Sequence, residues 1–146
     1  MKTFKRILLI EDDTDDQAFF LEALSGIENA SIFQIASNGR EALDQLQGSS
    51  ILPDLIFSDI NMPFMNGIEC LSEIKMNPRT KHIPVVILSS SIEDAAIVRH
   101  LGAKAFIVKP NNFRMLQQQI EKIINEDFTV ATHIPALTTL SLRTAA

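Results

Sequence analysis

The sequence predicts an α/β protein built on a doubly wound parallel sheet of five strands, each followed by a helix. Short apolar runs and longer helical runs alternate five times along the 146 residues. The first run is apolar at almost every position, as expected of a parallel strand that is covered on both faces. Right-handed crossovers then place helices on both sides of one sheet, and the length favours one domain.

Strand one is predicted over Arg6–Ile10 and helix one over Thr14–Leu24. Either Asp13 or Thr14 can cap this helix, because a short polar side chain accepts hydrogen bonds from the free N–H groups of the first turn. Gly26 is expected to end it. The strand and helix together form the first βα unit.

Strand two is predicted over Ser31–Ala36, and its mixed composition indicates a position at the edge of the sheet. Asn38 and Gly39 then open helix two, over Arg40–Leu46. Strand three, over Leu55–Ser58, is short and mostly apolar, so it belongs in the interior of the sheet.

Helix three is predicted over Gly67–Met76 and strand four over Ile83–Leu88, which is apolar and rich in β-branched residues. Helix four is predicted over Ile92–Leu101. Ser91 is a candidate cap for its start, and Gly102 is expected to end it.

Strand five is predicted over Ala105–Val108 and helix five over Asn112–Glu126. The domain therefore covers residues 4–126. Residues 127–146 follow neither period, and we expect a C-terminal tail that is flexible or packed on this domain or on a neighbouring subunit. The apolar stripe of helix five, at helical spacing, consists of Met115, Leu116, Ile120, Ile123 and Ile124.

Composition excludes several classes of function. The net charge of −5 argues against general nucleic-acid binding, which needs a basic surface. The lone Cys70 permits no disulfide framework and no zinc-finger spacing, so a reducing cytoplasm is expected, with Cys70 in the core. The apolar run Ile7–Ile10 is too short for a signal peptide, and no stretch is long enough to span a membrane.

Polar side chains follow four of the predicted strands at their carboxyl ends. Glu11 and Asp12 come after strand one, Asp59 after strand three, Ser89 after strand four and Lys109 after strand five. In a parallel sheet these ends face one crevice. Carboxylate oxygens suit Mg²⁺, and a lysine with a hydroxyl suits a phosphoryl group. A carboxylate that attacks phosphorus gives an aspartyl phosphate, so Asp59 is either that nucleophile or one more metal ligand.

The combination resembles the receiver domain of two-component response regulators, in particular stand-alone, chemotaxis-regulator-like receivers. The resemblance covers residues 4–126 and implies a flavodoxin-like strand order of 2-1-3-4-5. The segments that carry it are ILLIEDD at 7–13, PDLIFSDINMP at 53–63, NG at 66–67, IPVVILS at 83–89 and GAKAFIVKP at 102–110.

The resemblance implies a Mg²⁺ site beside the phosphoacceptor. Asp59 matches the phosphoacceptor and also a metal ligand. Asp12 matches a direct ligand, and Glu11 matches an acid that acts on the ion through water. Asn61 matches the position whose backbone carbonyl completes the site.

The resemblance also implies a switch. Lys109 matches the lysine that contacts the phosphoryl group, Ser89 the hydroxyl switch residue and Phe106 the aromatic one. Ser89 is expected to move toward the added group and Phe106 to fill the space that it leaves. Pro110 matches a proline that usually follows a cis peptide bond in this family.

The implied function is phosphoacceptor signalling. A histidine kinase or phosphotransfer protein would donate to Asp59, and the only catalysis would be self-catalysed phosphoryl transfer and dephosphorylation. The surface of helix four, strand five and helix five would bind an unknown downstream protein or a second copy, with neither DNA nor a membrane contacted directly. Residues expected on that face are Arg99, Lys104, Gln117 and Gln118.

Four positions depart from the common pattern or vary within it. Ser58 is polar where an apolar residue is usual, so it either finds a backbone partner or tunes the acceptor. Phe106 lacks the hydroxyl of the commoner tyrosine. Asn61 and Ser91 lie where family members vary the rate of hydrolysis.

Two alternatives to phosphoacceptor signalling remain. One is a degenerate receiver that binds partners without accepting phosphate. The other is a phosphatase of the haloacid-dehalogenase type, which also uses a strand-end Asp and Mg²⁺. That class needs a second acid two residues after the nucleophile, where this chain has Asn61.

Overall fold

One parallel sheet with helices on both faces makes up the described part of the chain. The computed structural model describes residues 3–126, so the predicted tail at 127–146 lies outside the described residues. The strands are β1 (Lys5–Ile10), β2 (Ala30–Ala36), β3 (Leu55–Asp59), β4 (Val85–Ser89) and β5 (Ala105–Val108). The helices are α1 (Thr14–Ser25), α2 (Gly39–Gly48), α3 (Gly67–Met76), α4 (Ala95–His100) and α5 (Phe113–Ile124).

The sheet has the order β2-β1-β3-β4-β5, and every neighbouring pair is parallel. This confirms the predicted doubly wound, flavodoxin-like fold. It also places β2 at an edge, as its mixed sequence indicated. Because all five strands run the same way, their carboxyl ends share one side of the molecule, where sheets of this kind bind ligands.

Side chains of β1, β3, β4 and β5 alternate between two hydrophobic clusters, one on each face of the sheet. Ile7 and Leu9 of β1 join the cluster beneath α1 and α5, whereas Leu8 and Ile10 join the cluster beneath α2, α3 and α4. All four are fully buried. Burying one such side chain stabilises the fold by about 1.5–3 kcal/mol. A shift of one residue would exchange the two faces, so this alternation holds β1 in register.

The apolar stripe of α5 is buried as predicted, with one exception. Met115 is 51% exposed, so its assignment to the core was wrong. The buried members share one face of the helix, and Met115 lies outside that face. The buried members of the stripe are Leu116, Ile120, Ile123 and Ile124.

No helix between residues 3 and 126 has both the length and the apolar content needed to cross a membrane.

Cys70 of α3 lies in the core as predicted, where its sulfur contacts the Gly39 carbonyl. Burial raises the pKa of its thiol to about 12. A thiol with so high a pKa carries little thiolate at neutral pH, so its role is packing and not redox chemistry.

Side-chain caps determine where α1 begins but not where α4 begins. Asp13 accepts hydrogen bonds from the backbone N–H groups of Asp15 and Asp16, which makes it the N-cap of α1. The prediction of Ser91 as the cap of α4 was wrong, because its hydroxyl accepts from the N–H of Glu93 within a turn. The helix starts four residues later, at Ala95, without a side-chain cap.

The loop between β3 and α3 makes a close backbone contact at Gly67 and has a strained backbone at Phe64. A Cβ atom added at Gly67 would lie 1.9 Å from the backbone oxygen of Asp59, so only glycine allows this approach. Phe64 has a φ of 66°, in the left-handed region that phenylalanine rarely adopts, and its side chain is 90% exposed. The loop therefore brings α3 directly against the end of β3.

Candidate functional site

The strand ends bring the predicted site residues together. β1 leads into Glu11 and Asp12, β3 ends at Asp59, β4 ends at Ser89 and β5 leads into Lys109. The Lys109 ammonium nitrogen (Nζ) lies 3.0 Å from Glu11 Oε1 and 3.4 Å from Asp59 Oδ1. The lysine therefore reaches from the end of β5 to the acids at the ends of β3 and β1.

Three carboxylates form a cluster that could hold a divalent cation. One oxygen each from Glu11, Asp12 and Asp59 lies within 4.8 Å of the others. Glu11 is buried, Asp59 is half-buried and Asp12 is exposed, so the cluster opens to solvent on one side. An all-oxygen donor set that leaves room for water suits Mg²⁺ or Mn²⁺. Three like charges this close also repel one another, and a cation would relieve that repulsion.

Glu11 and Lys109 form an ion pair that is largely withdrawn from solvent. Burial raises the pKa of Glu11 to about 7, although the hydrogen bond from Lys109 acts in the opposite direction. Burial alone would lower the pKa of Lys109. Its hydrogen bond to Glu11 and the charge of Asp59 outweigh that effect and hold the pKa above its ordinary value. Lys109 is therefore a permanent positive charge at neutral pH, beside an acid that readily exchanges its proton.

The two oxygens of the Asp59 carboxylate have different surroundings. Oδ1 accepts a hydrogen bond of 2.8 Å from the N–H of Ile60 and faces Lys109. Within residues 3–126, Oδ2 accepts no hydrogen bond and is the freer oxygen. The hydroxyl of the buried Ser58 donates to the backbone oxygen of Asp59 at 2.8 Å, so Ser58 has the backbone partner that was one of its two predicted roles.

Ser89 and Phe106, the predicted switch pair, are both buried. The Ser89 hydroxyl oxygen accepts a hydrogen bond of 3.2 Å from the N–H of Ser91. Phe106 is only 1% exposed and packs in the cluster that contains Ala95 and Val98 of α4. The phenyl ring thus occupies the inward one of its two expected positions.

Two further expectations concern the loops of the site. Asn61, whose backbone carbonyl is expected to complete the metal site, is exposed and lies two residues beyond Asp59. The expected cis bond before Pro110 is wrong, since every peptide bond in the described part of the chain is trans. The N–H of Lys109 donates to the Ser89 carbonyl at 2.7 Å, which ties this loop to β4 in the trans form.

A family model for the response regulator receiver domain matches residues 7–121, most of the chain. The chain belongs to the response regulator receiver family. The acid cluster and Lys109 therefore lie within a receiver domain.

Similar proteins include whole receivers and much longer chains. A crystal structure of the phosphorylated cyanobacterial phytochrome response regulator RcpA is 33% identical, with a TM-score of 0.76 over 89% of this chain and 98% of that one. The Mn²⁺-bound form of response regulator Rcp1 is 35% identical, with a TM-score of 0.70 over 88% and 96%. A probable cyclic di-GMP phosphodiesterase of Vibrio cholerae is 36% identical over 118 residues, 78% of this receiver, which spans only 25% of that relative's length.

Sequence reasoning missed one residue of the site. Asp16, in the first turn of α1, places Oδ2 3.1 Å from Lys109 Nζ. An acid in this turn is usually explained by the helix dipole, which favours negative charge at an N-terminus. The available signal was the short connection between β1 and α1, which holds that turn beside the strand ends.

Of the four residues predicted on the partner face, one instead packs against a different helix. Arg99 of α4 and Gln118 of α5 are exposed, and Lys104 is half-buried. Gln117 donates instead to the Ala23 carbonyl of α1 at 3.0 Å, so its assignment to this face was wrong.

A cavity of about 440 Å³ lies beside Lys109. Its lining is mostly apolar and includes the charged side chains of Glu11 and Asp16. The apolar lining comes from Leu9, Phe19, Phe20, Leu88, Pro110 and Leu116.

Proposed function

We propose that this receiver is a phosphoacceptor signalling protein in which Asp59 accepts a phosphoryl group from a phosphohistidine. The observation that carries the proposal is the position of Lys109 Nζ, 3.4 Å from Asp59 Oδ1, next to the three clustered carboxylates. A nucleophile, a fixed positive charge and a set of oxygen ligands are the parts that phosphoryl transfer requires.

In the proposed reaction Asp59 Oδ2 attacks phosphorus while the bond from phosphorus to the donor's imidazole nitrogen breaks. The imidazole leaves with the electron pair of that bond, and an aspartyl phosphate remains. Lys109 offsets negative charge on the transferring group, and the Ile60 N–H holds Oδ1 in place. Because little covalent chemistry falls to the protein, alignment and electrostatics supply most of the rate.

Mg²⁺ is the proposed metal, held by Asp12 and Asp59 directly, by Glu11 through water and by the Asn61 backbone carbonyl. When bound, it would neutralise charge on the phosphoryl oxygens. The oxygen donor set and the open side at Asp12 support this assignment, as does the Mn²⁺-bound Rcp1 relative.

The proposed donor is a histidine kinase or a phosphotransfer protein. A donor histidine must approach the edge where Asp59 lies, so its carrier would contact the loops around that residue. Phe64 is exposed in the loop that follows Asp59, and an apolar cavity lies beside Lys109. They offer apolar contacts to a protein donor that a small phosphodonor would not use.

The proposed output is the face formed by α4, β5 and α5, which would bind a downstream protein or a second copy of the chain. Ile97 of α4 and Met115 of α5 are both about half exposed there. Phe106 and Ser89 connect this face to Asp59. We also propose that the receiver spans residues 4–126 and that the protein acts in the cytoplasm.

Exposure to acetyl phosphate and Mg²⁺, followed by intact-mass measurement, tests the proposal. The wild-type protein should gain the mass of one phosphoryl group, and Asp59→Asn should gain none while remaining folded. Asp44→Asn, which changes an exposed acid on α2, is the matched control and should react like the wild type. An unmodified wild-type protein would instead favour the degenerate receiver.

A further inference from the structure

Lys109 contacts three carboxylates at once. Its ammonium nitrogen lies 3.0 Å from Glu11, 3.1 Å from Asp16 and 3.4 Å from Asp59. A lysine ammonium has three N–H donors and no acceptor. The contacts to Glu11 and Asp16 are hydrogen bonds, whereas the contact to Asp59 is an ion pair and is the longest of the three.

The partners differ in how readily they release the lysine. The Glu11 side chain is 3% exposed, so without Lys109 its charge would be left buried. The Asp16 side chain is 49% exposed in the first turn of α1 and can turn into water. An exposed ion pair of this kind contributes little stability and breaks easily. Asp16 is the partner that Lys109 can exchange at the lowest cost.

A phosphoryl group on Asp59 brings new acceptor oxygens toward Lys109. Within residues 3–126, Lys109 is the cation that contacts Asp59. Because two of its three N–H donors are used on Glu11 and Asp16, it can offer the phosphoryl group more than one hydrogen bond only if it releases one of these acids. Until then Asp16 competes for the lysine and adds a negative charge beside an incoming anionic donor.

We propose that Asp16 is a positioning residue that keeps Lys109 away from Asp59 before phosphorylation. Lys109 must leave Asp16 to bind the phosphoryl group, and this requirement slows phosphoryl acceptance. The inference rests on the proposed function, since it assigns Asp16 a part in the reaction at Asp59. Asp16 touches neither the acceptor nor the transferring group and acts only through Lys109.

The test measures the initial rate of phosphorylation by acetyl phosphate at saturating Mg²⁺, using intact mass. Asp16→Asn keeps the shape of the side chain and removes its charge, so we expect a rate about two- to fivefold higher, the size expected of a half-exposed ion pair. Asp16→Ala should also be faster. Asp16→Glu, which restores a carboxylate, should return toward the wild-type rate.

Asp15→Asn is the matched control. It removes one negative charge from the same turn, but Asp15 forms no ion pair with Lys109 in the described part of the chain. Its rate should stay near that of the wild type. The difference between wild type and Asp16→Asn should also shrink at high salt, because screening weakens an exposed pair. A purely structural role for Asp16 would not produce that salt dependence.

The outcomes separate this inference from the proposed function. If the wild type reacts but Asp16→Asn is no faster, or if Asp15→Asn gains as much, the inference is overturned and phosphoacceptance stands. If the wild type does not react at all, the proposed function fails, and the role of Asp16 fails with it. Urea unfolding of each variant shows whether a changed rate reflects a changed fold.

Discussion

Glu11 is a buried acid whose protonation should be linked to metal binding. Burial raises the pKa of its carboxyl to about 7, so below that pH the metal-free protein holds a proton there. A cation in the acid cluster favours the ionised form. We therefore predict that Mg²⁺ binding releases a proton at about pH 6 but releases almost none at about pH 8.5, where Glu11 is already ionised.

Titration calorimetry in two buffers of different ionisation enthalpy counts the released protons. Glu11→Gln should bind Mg²⁺ more weakly and release none at either pH. The same proton count for the wild-type protein at both pH values would show that Glu11 is not the group that titrates.

Phe106 occupies a space in which a phenolic hydroxyl has no obvious partner. The ring is 1% exposed and surrounded by apolar side chains. We predict that Phe106→Tyr lowers the free energy of unfolding by about 1–3 kcal/mol, the cost of burying an unpaired hydroxyl. Urea unfolding measures this, with Phe113→Tyr as the control, because Phe113 is only half-buried. If both variants lose the same stability, the inward position of Phe106 is not the cause.

At the residue scale, sequence reasoning found groups whose role follows from one strand end. Glu11, Asp12, Asp59 and Lys109 come together because each directly follows or ends a parallel strand. Asp16 escaped because its contact joins a helix turn to a residue 93 positions away. That distance depends on how α1 is seated, and helix periodicity alone does not report it.

At the scale of elements, the contact between α3 and β3 depends on a missing side chain. We predict that Gly67→Ala lowers the free energy of unfolding by about 2–4 kcal/mol, because its Cβ would overlap the Asp59 backbone oxygen, which cannot move away freely. The variant should also accept phosphate more slowly, since the displaced backbone belongs to the acceptor. Urea unfolding and intact mass measure the two effects.

Gly48 at the end of α2 is the matched control. Nothing lies within 4 Å of the Cβ position there, and alanine is the better helix former. Gly48→Ala should leave stability unchanged or raise it by up to about 1 kcal/mol. Equal losses at the two glycines would mean that the close approach to Asp59 is not what makes Gly67 sensitive.

Element boundaries were predictable where a local signal exists. Asp13 and Asn66 mark the starts of α1 and α3 because their side chains cap the free N–H groups. The predicted start of α4 was wrong. Serine often caps helices, but Ser91 stabilises a turn, and the helix begins beyond that turn. Which of two local hydrogen-bonding patterns forms depends on how the segment packs, and the sequence alone does not encode that simply.

For the whole molecule, the acid cluster implies that stability depends on metal. We predict that Mg²⁺ at about a hundred times its dissociation constant raises the free energy of unfolding by about 2.7 kcal/mol, because the ion binds only the folded state. Asp12→Asn should lose most of this gain, and Asp44→Asn should keep it. Urea unfolding with and without Mg²⁺ measures the difference, and an equal gain in all three proteins would contradict the proposed site.

The architecture of the molecule was the most predictable feature. Five apolar runs that alternate with helical ones leave few arrangements, and the strand order followed from the family resemblance. What the sequence did not reveal is which of its two positions the Phe106 ring occupies, since both positions use the same residues and differ by a small free energy.

The close contact between Gly67 and the Asp59 backbone fixes the end of β3 against α3. Strand β3 and helix α3 must shift together, so a disturbance at Asp59 has little freedom on that side. On the other side lies α4, which is six residues long, has no side-chain cap and follows the turn between Ser89 and Ser91. We therefore expect any movement beside Asp59 to occur on the side of α4 and not on the side of α3.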